Sequence, residues 1–352
     1  MNYRWINIGK LIAIIAVIMD HMYMTLYTSN TVQMSFYYSV SVFVILSGIT
    51  SYYSNERHLE NRGLKETARK IGNVFIPYMV AVAVYLVLYD HFLDLKVYIK
   101  FLFSFNLSGP FYFVTFFVQL IIISPLLFDS IRFAKNTRIK YLLYALFLVF
   151  CIFIAILSMN YTYMFNVHGG GKYLFGGTYL ILYYIGMLLA GTALTLKTNK
   201  KVLLYTSIVS IIAVLSCLFF IIKDRFSIDE GLPFGTTFNP PNMSLIILSI
   251  LIVIFVYCFI NYLETFDSKI INTIINFLSR LGSYAYYIFL YHLAIVFVLN
   301  TTPLIDSHIW MKRIIYMSAM IFIPVIFKIV YDMILKSAKN KINSKTVKRL
   351  SG

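Results

Sequence analysis

"KLIAIIAVIMDH", residues 10–21, sets an unbroken apolar run, Leu11–Met19, between Lys10 on one side and Asp20-His21 on the other. Extended to about residues 6–27, the run is long enough to cross a hydrocarbon core of roughly 30 Å as a helix. The fold class turns on whether such runs recur. The function turns on why this one keeps ionisable groups that a bilayer normally excludes.

They recur along the whole chain. Further apolar segments of about twenty residues lie at about 33–53, 70–89, 110–129, 139–158, 177–196, 202–222, 243–263, 281–300 and 310–335. The composition agrees: 60% of the 352 residues are hydrophobic, 12% are charged and the mean hydropathy is +0.79. Soluble domains carry about a quarter charged residues, so a soluble fold is excluded. The expected fold is all-α and polytopic, one bundle of about ten transmembrane helices over residues 1–335, followed by a basic, unstructured tail (336–352) lying on anionic headgroups. The first segment lacks a small-x-small cleavage pattern and is expected to stay as a span. Cys151, Cys217 and Cys258 fall inside apolar segments without paired spacing, which reads as buried thiols.

A net charge of +16 would suit a nucleic-acid binder, but its distribution argues against one. If the N-terminus is cytoplasmic, 22 of the 30 Lys and Arg residues fall on cytoplasmic segments and seven on the opposite side. This is the positive-inside bias, so the basicity encodes topology, with both termini cytoplasmic in a plasma membrane.

Four stretches carry candidate chemistry. Lys10 and His21 are eleven residues apart, about three helical turns, so they share one face at about 16 Å separation. Lys10 is then near the cytoplasmic end and His21 past mid-membrane, where an imidazole can act as a general base or simply fix packing. Asp20 points about 100° away from His21. In "SVSVFVILSGIT" (39–50), Ser47-Gly48 favours close helix approach. In "ARKIGNVFIPY" (68–78), Arg69 and Lys70 at an inner helix mouth read as a topology signal or as a site for donor phosphates. In "LGSYAYYIFLYHLAIVFV" (281–298), His292 falls at mid-membrane among Tyr284, Tyr286, Tyr287 and Tyr291. Two such histidines suggest a shared polar cavity, serving either a proton path or group transfer. No spacing suggests a metal.

In order along nearly the whole chain, these elements resemble the acyltransferase-3 family of integral-membrane acyltransferases. That family opens with a basic residue, ten residues and a histidine, as do Lys10 and His21. Its "F-F-x-L-S-G" element is matched by Phe43, Leu46, Ser47 and Gly48. Its basic pair before an Ile-Pro-Tyr helix start is matched by Arg69, Lys70 and Ile76-Pro77-Tyr78. Its "W-F-L-x-x-x-x-Q" element appears as Tyr112-Phe113-Val114 with Gln119 and Pro125, and its late "G-x-x-S-Y-x-I-Y-L-x-H" element as Gly282-Ser283-Tyr284 through His292. The chain departs from the pattern at Gly72-Asn73-Val74, where arginines are common, and at Tyr112, where the family has Trp. Gly109-Pro110-Phe111 also replaces a stretch that often holds a histidine.

The resemblance implies a single-module O-acyltransferase that takes an acetyl or other acyl group from cytosolic acetyl-CoA or another acyl-CoA. The acceptor implied is a hydroxyl of a cell-surface polysaccharide or other glycan, with no metal and no nucleic acid involved. It implies His21 as the catalytic residue and Lys10, Arg69 and Lys70 as donor contacts. His292, Tyr112, Tyr287 and Tyr291 would serve as proton relay or site support, and Ser47, Gly48, Gln119, Ser283 and Tyr284 as structural motif positions. His168 in the glycine-rich stretch 166–177 is a further candidate sugar contact. The rival reading is an exopolysaccharide exporter or flippase, for which the expected paired broken helices in two related halves are not evident. A homo-oligomer stays open.

Overall fold

The computed structural model describes residues 3–59, 63–89, 94–160, 173–192, 199–223, 239–301 and 309–350. Among them the chain is all-helical, with a lone bridge between Tyr23 and Tyr27 in place of any strand. The α-helices run in the order α1 (Arg4–His21), α2 (Asn30–Met34), α3 (Ser39–Arg57), α4 (Leu64–Leu88), α5 (Leu95–Ser104), α6 (Tyr112–Lys135), α7 (Lys140–Asn160), α8 (Tyr179–Gly191), α9 (Lys200–Ile222), α10 (Met243–Leu263), α11 (Lys269–Gly282), α12 (Ala285–Thr301) and α13 (Ile309–Leu350).

Each of the ten apolar segments holds one of these helices. By length and apolarity alone, seven qualify as spans, or eight if α11 and α12 count as one span bent by 64°. The ten expected spans include two that such a test passes over: α1, which carries Arg4, Lys10 and Asp20, and α8, which has 13 residues.

Three expectations about element ends need correction. Ile76-Pro77-Tyr78 does not start a helix, because α4 begins twelve residues before Ile76, at Leu64. Proline is tolerated inside a membrane helix when its neighbours satisfy the freed backbone groups. The segment at 281–300 is broken at Ser283-Tyr284, and the amphipathic α11 precedes the break. The basic tail, expected to be unstructured, continues α13 to Leu350. It contains no proline and no glycine before Gly352, so nothing in the chain interrupts backbone hydrogen bonding.

α1 packs against α3, α10, α11 and α12, and α3 lies tightest against α8. Small residues explain the tightness. A Cβ added at Gly48 would come 2.2 Å from the Tyr183 carbonyl oxygen, and one at Gly186 would come 2.2 Å from that of Ile45. Gly282 sits closer still to the backbone of Asn7, where α11 meets α1: an added Cβ would come 1.8 Å from the Asn7 carbonyl oxygen. α7 and α9 lie at the periphery and present Phe150, Phe153, Ile212 and Phe219 outward, as lipid-facing helices do. The three cysteines are buried free thiols.

Basic residues collect at one end of the bundle. There Arg4 pairs with Glu264 at 2.9 Å, Arg57 meets Tyr3, and Lys200 lies 4.0 Å over the Phe266 ring. α1 and α12 both run from that end toward the opposite one.

Candidate active site

α1 is a continuous helix through His21, so the eleven-residue spacing holds, and Lys10 and His21 lie on one face about 16 Å apart. At the far end of α1 the His21 ring meets that of His292 from α12, with ring centres 5.2 Å apart and planes tilted by 38°. His292 is fully buried. Its Nδ1 lies 2.7 Å from the Phe289 carbonyl oxygen. A carbonyl only accepts, so Nδ1 carries the proton and Nε2 holds a lone pair. That Nε2 is buried without a hydrogen-bond partner among the described residues. Tyr85 fixes the same part of α12: its hydroxyl donates to the Leu290 carbonyl (3.1 Å) and accepts from the Ala294 N–H (3.0 Å).

His21 opens onto a cavity of about 410 Å³, with Phe289 and Tyr112 in its wall and His292 behind the ring. Asp20 lines the cavity too, and its Oδ1 accepts from Gln33 Nε2 at 3.1 Å. Elsewhere in the lining the Tyr179 hydroxyl donates to Asn239 Oδ1 at 3.1 Å, beside the Tyr112 hydroxyl. Tyr179 stacks on Phe116 with ring centres 4.6 Å apart. Tyr179 is held in place indirectly by Gln119, whose Oε1 accepts the Phe175 N–H at 2.7 Å. Phe175, Gly176 and Gly177 all have left-handed backbone, so the turn leading into α8 depends on that side-chain anchor. This is the work of Gln119, away from the cavity wall.

The remaining candidates lie elsewhere. Tyr287 sits under the Lys328 ammonium, 4.7 Å from its ring centre, and Tyr291 neighbours Tyr287 and Tyr331, so both face α13. Ser283 and Tyr284 form the α11–α12 break, where the Ser283 hydroxyl donates to the Arg280 carbonyl. Ser47 donates to Phe43 within α3. Lys10 is half-buried and has no hydrogen bond or ion pair among the described residues. His168 lies outside the described residues.

Arg69 and Lys70 diverge. Both are inside α4, one residue apart and therefore about 100° apart around the helix. Arg69 is exposed and forms a two-pronged ion pair with Glu66 at 2.7 and 2.8 Å. Lys70 instead donates to Asn55 Oδ1 at 2.7 Å and lines a second cavity of about 450 Å³ at the basic end. The buried Asn55 amide donates in turn to Ser124 Oγ at 2.8 Å, and Ser124 meets Ser51 at 2.5 Å. This polar chain into the bundle has no linear motif; only the spacing Ser47, Ser51, Asn55 along one face of α3 hints at it.

The cavity can therefore bring a hydroxyl-bearing molecule to an imidazole that has a second imidazole behind it. The cavity at the other end is lined by the Lys70 ammonium together with the carboxylates of Glu66 and Asp129. A family model described as an acyltransferase domain matches residues 3–330. No curated protein and no solved structure matches the chain. The match covers all the elements that build both cavities, and the chain belongs to the acyltransferase-3 family as a multi-pass membrane acyltransferase.

Proposed function

We propose that the protein is an O-acyltransferase that moves an acetyl or similar acyl group from cytosolic acyl-CoA to a hydroxyl of a cell-surface glycan. The observation that carries this reading is the His21–His292 pair at the wall of a cavity rich in hydroxyls and amides. His21 takes the proton from the acceptor hydroxyl as its oxygen attacks the thioester carbon. The carbon–sulfur bond then breaks, and the CoA thiolate takes that proton back from the imidazolium. His292 Nε2, unpartnered among the described residues and beside the His21 ring, is placed to take an N–H from His21 once substrate is bound, which would leave the other His21 nitrogen unprotonated toward the cavity.

The basic end faces the cytosol under the positive-inside rule, and Lys70 at its cavity meets the donor's phosphates. Asn55 at that cavity and Val40 at the other lie about fifteen residues, or about 22 Å, apart along α3. To place its thioester beside His21, the donor's long pantetheine arm would run along this face past Ser51 and Ser47, parting the contact of Ser51 with Ser124.

The test is transfer of a labelled acetyl group by the purified protein, given acetyl-CoA and a cell-surface polysaccharide. Wild type transfers the label and His21→Ala does not. Normal transfer by His21→Ala overturns the catalytic assignment. Glycan movement across vesicles without acylation makes the protein an exporter.

A further inference from the structure

The cavity at His21 has a polarity of its own. Among the described lining residues, Asp20 and His21 are the only ionisable groups apart from tyrosines, and none is a lysine or arginine. Arg313, whose Nε donates to the Leu26 carbonyl, is not part of the lining. Asp20 spends one carboxylate oxygen on Gln33; its other oxygen and the Gln33 amide oxygen have no hydrogen-bond partner among the described residues. Free polar atoms of this kind are acceptors, so they call for hydrogens from the ligand. A sugar ring supplies them through its hydroxyls, and an amino sugar through its ammonium. A carboxylate, sulfate or phosphate brings only further acceptors, and it places like charge against Asp20. Tyr37 and Tyr112 line the same space and offer aromatic surface to the apolar face of a sugar ring.

We propose that this cavity selects a hydroxyl-rich sugar without negative charge at the residue to be acylated, and that Asp20 enforces the selection. The proposal rests on the glycan-acylation reading above and adds the class of acceptor. Asp20 binds donors and rejects anions, which makes it a specificity residue and leaves the proton transfer to His21.

The experiment compares a neutral glucose hexasaccharide with a hexasaccharide of glucuronic acid, in two readouts on purified protein: binding without any acyl donor, and acylation with acetyl-CoA. Wild type favours the neutral sugar about tenfold or more in both, as like charges at close range require, and the preference shrinks as salt rises. Asp20→Asn keeps an acceptor for Gln33 and removes the charge, so the preference falls to within about threefold. Equal or better binding of the acidic sugar by wild type overturns the proposal. So does an unchanged ratio in Asp20→Asn, even if both sugars lose rate, because that marks Asp20 as part of the acid–base machinery. If neither sugar is acylated, the transfer reading fails and the donor-free binding ratio still decides the role of Asp20. If wild type binds neither sugar, both readings fall.

Discussion

His292 sits in an apolar core, yet only one of its two nitrogens is satisfied. A histidine kept for packing alone would be expected to pair both, because a buried unpaired polar atom costs about 1–3 kcal/mol. Its Nε2 instead stays without a partner beside the His21 ring. If that lone pair positions His21, then His292→Leu lowers kcat about 100-fold, the scale of a misplaced catalytic group, with KM for either substrate little changed. His292→Gln restores an acceptor at the same depth and recovers part of the rate. Steady-state kinetics of the two variants, each checked for an unchanged thermal midpoint, decide between positioning and packing. Equal activity in His292→Leu and wild type returns His292 to the core. For His21 itself, replacement by Ala removes the base, a loss of about 10²–10⁴ in kcat.

Helix register decides the neighbours of Gly48 and Lys70. Gly48 faces a backbone carbonyl of α8 that cannot move aside, whereas Gly72 in α4 has only the end of the Ile76 side chain near it, at 3.8 Å. Gly48→Ala therefore destabilises by about 1–3 kcal/mol as an overpacked contact. Gly72→Ala is neutral or stabilising by up to ~1 kcal/mol, the helix-propensity difference. Thermal midpoints in detergent check both signs. The same reasoning separates Arg69 from Lys70: CoA raises the midpoint of wild type and of Arg69→Ala, and fails to do so in Lys70→Ala. Loss of the shift in Arg69→Ala alone moves the donor site to the outer flank of α4.

Element scale is also where sequence reading reached its limit. Long apolar helices such as α7 and α10 are visible because the bilayer demands about twenty apolar residues in a row. α11 forms no such run, because its apolar residues Ile270, Ile274 and Phe277 recur at helical spacing among polar ones. α4 begins before the apolar run that marks it because its first turns are polar. The meeting of His21 with His292 follows from two spans running in the same direction, which periodicity could reveal. Gln33 and Asn239 leave no such trace, since α2 and the turn before α10 bring them into place only in three dimensions, and the spacing that puts Asn55 on the Ser47 face of α3 does not show its partner Ser124. Asp20 stands out in the sequence as a charge at the end of an apolar run, but its partner Gln33 is supplied by α2.

At the scale of the whole molecule, the two cavities lie at opposite ends of the bundle, so the proposed reaction has a direction across the membrane. The cation-rich end should face the cytosol and the His21 end the outside. Two exposed positions report on this. Asn136 lies between α6 and α7 at the basic end, and Met24 is 70% exposed in the turn after α1 at the His21 end. The native cysteines are 7% exposed or less, so single added cysteines label against a low background. In intact cells, a membrane-impermeant maleimide should label Met24→Cys and leave Asn136→Cys untouched until the membrane is permeabilised. The reverse pattern would turn the protein over and put Lys70 outside, out of reach of a cytosolic acyl-CoA. With the expected pattern, acceptor and donor approach from opposite faces, and the acyl group must pass through the bundle along α3. In that case, Ser51→Leu, which puts a bulky side chain on α3 between the two cavities where Ser51 now meets Ser124, should block transfer and leave acceptor binding at the His21 cavity intact. Normal transfer by that variant would show that the donor reaches His21 by another route.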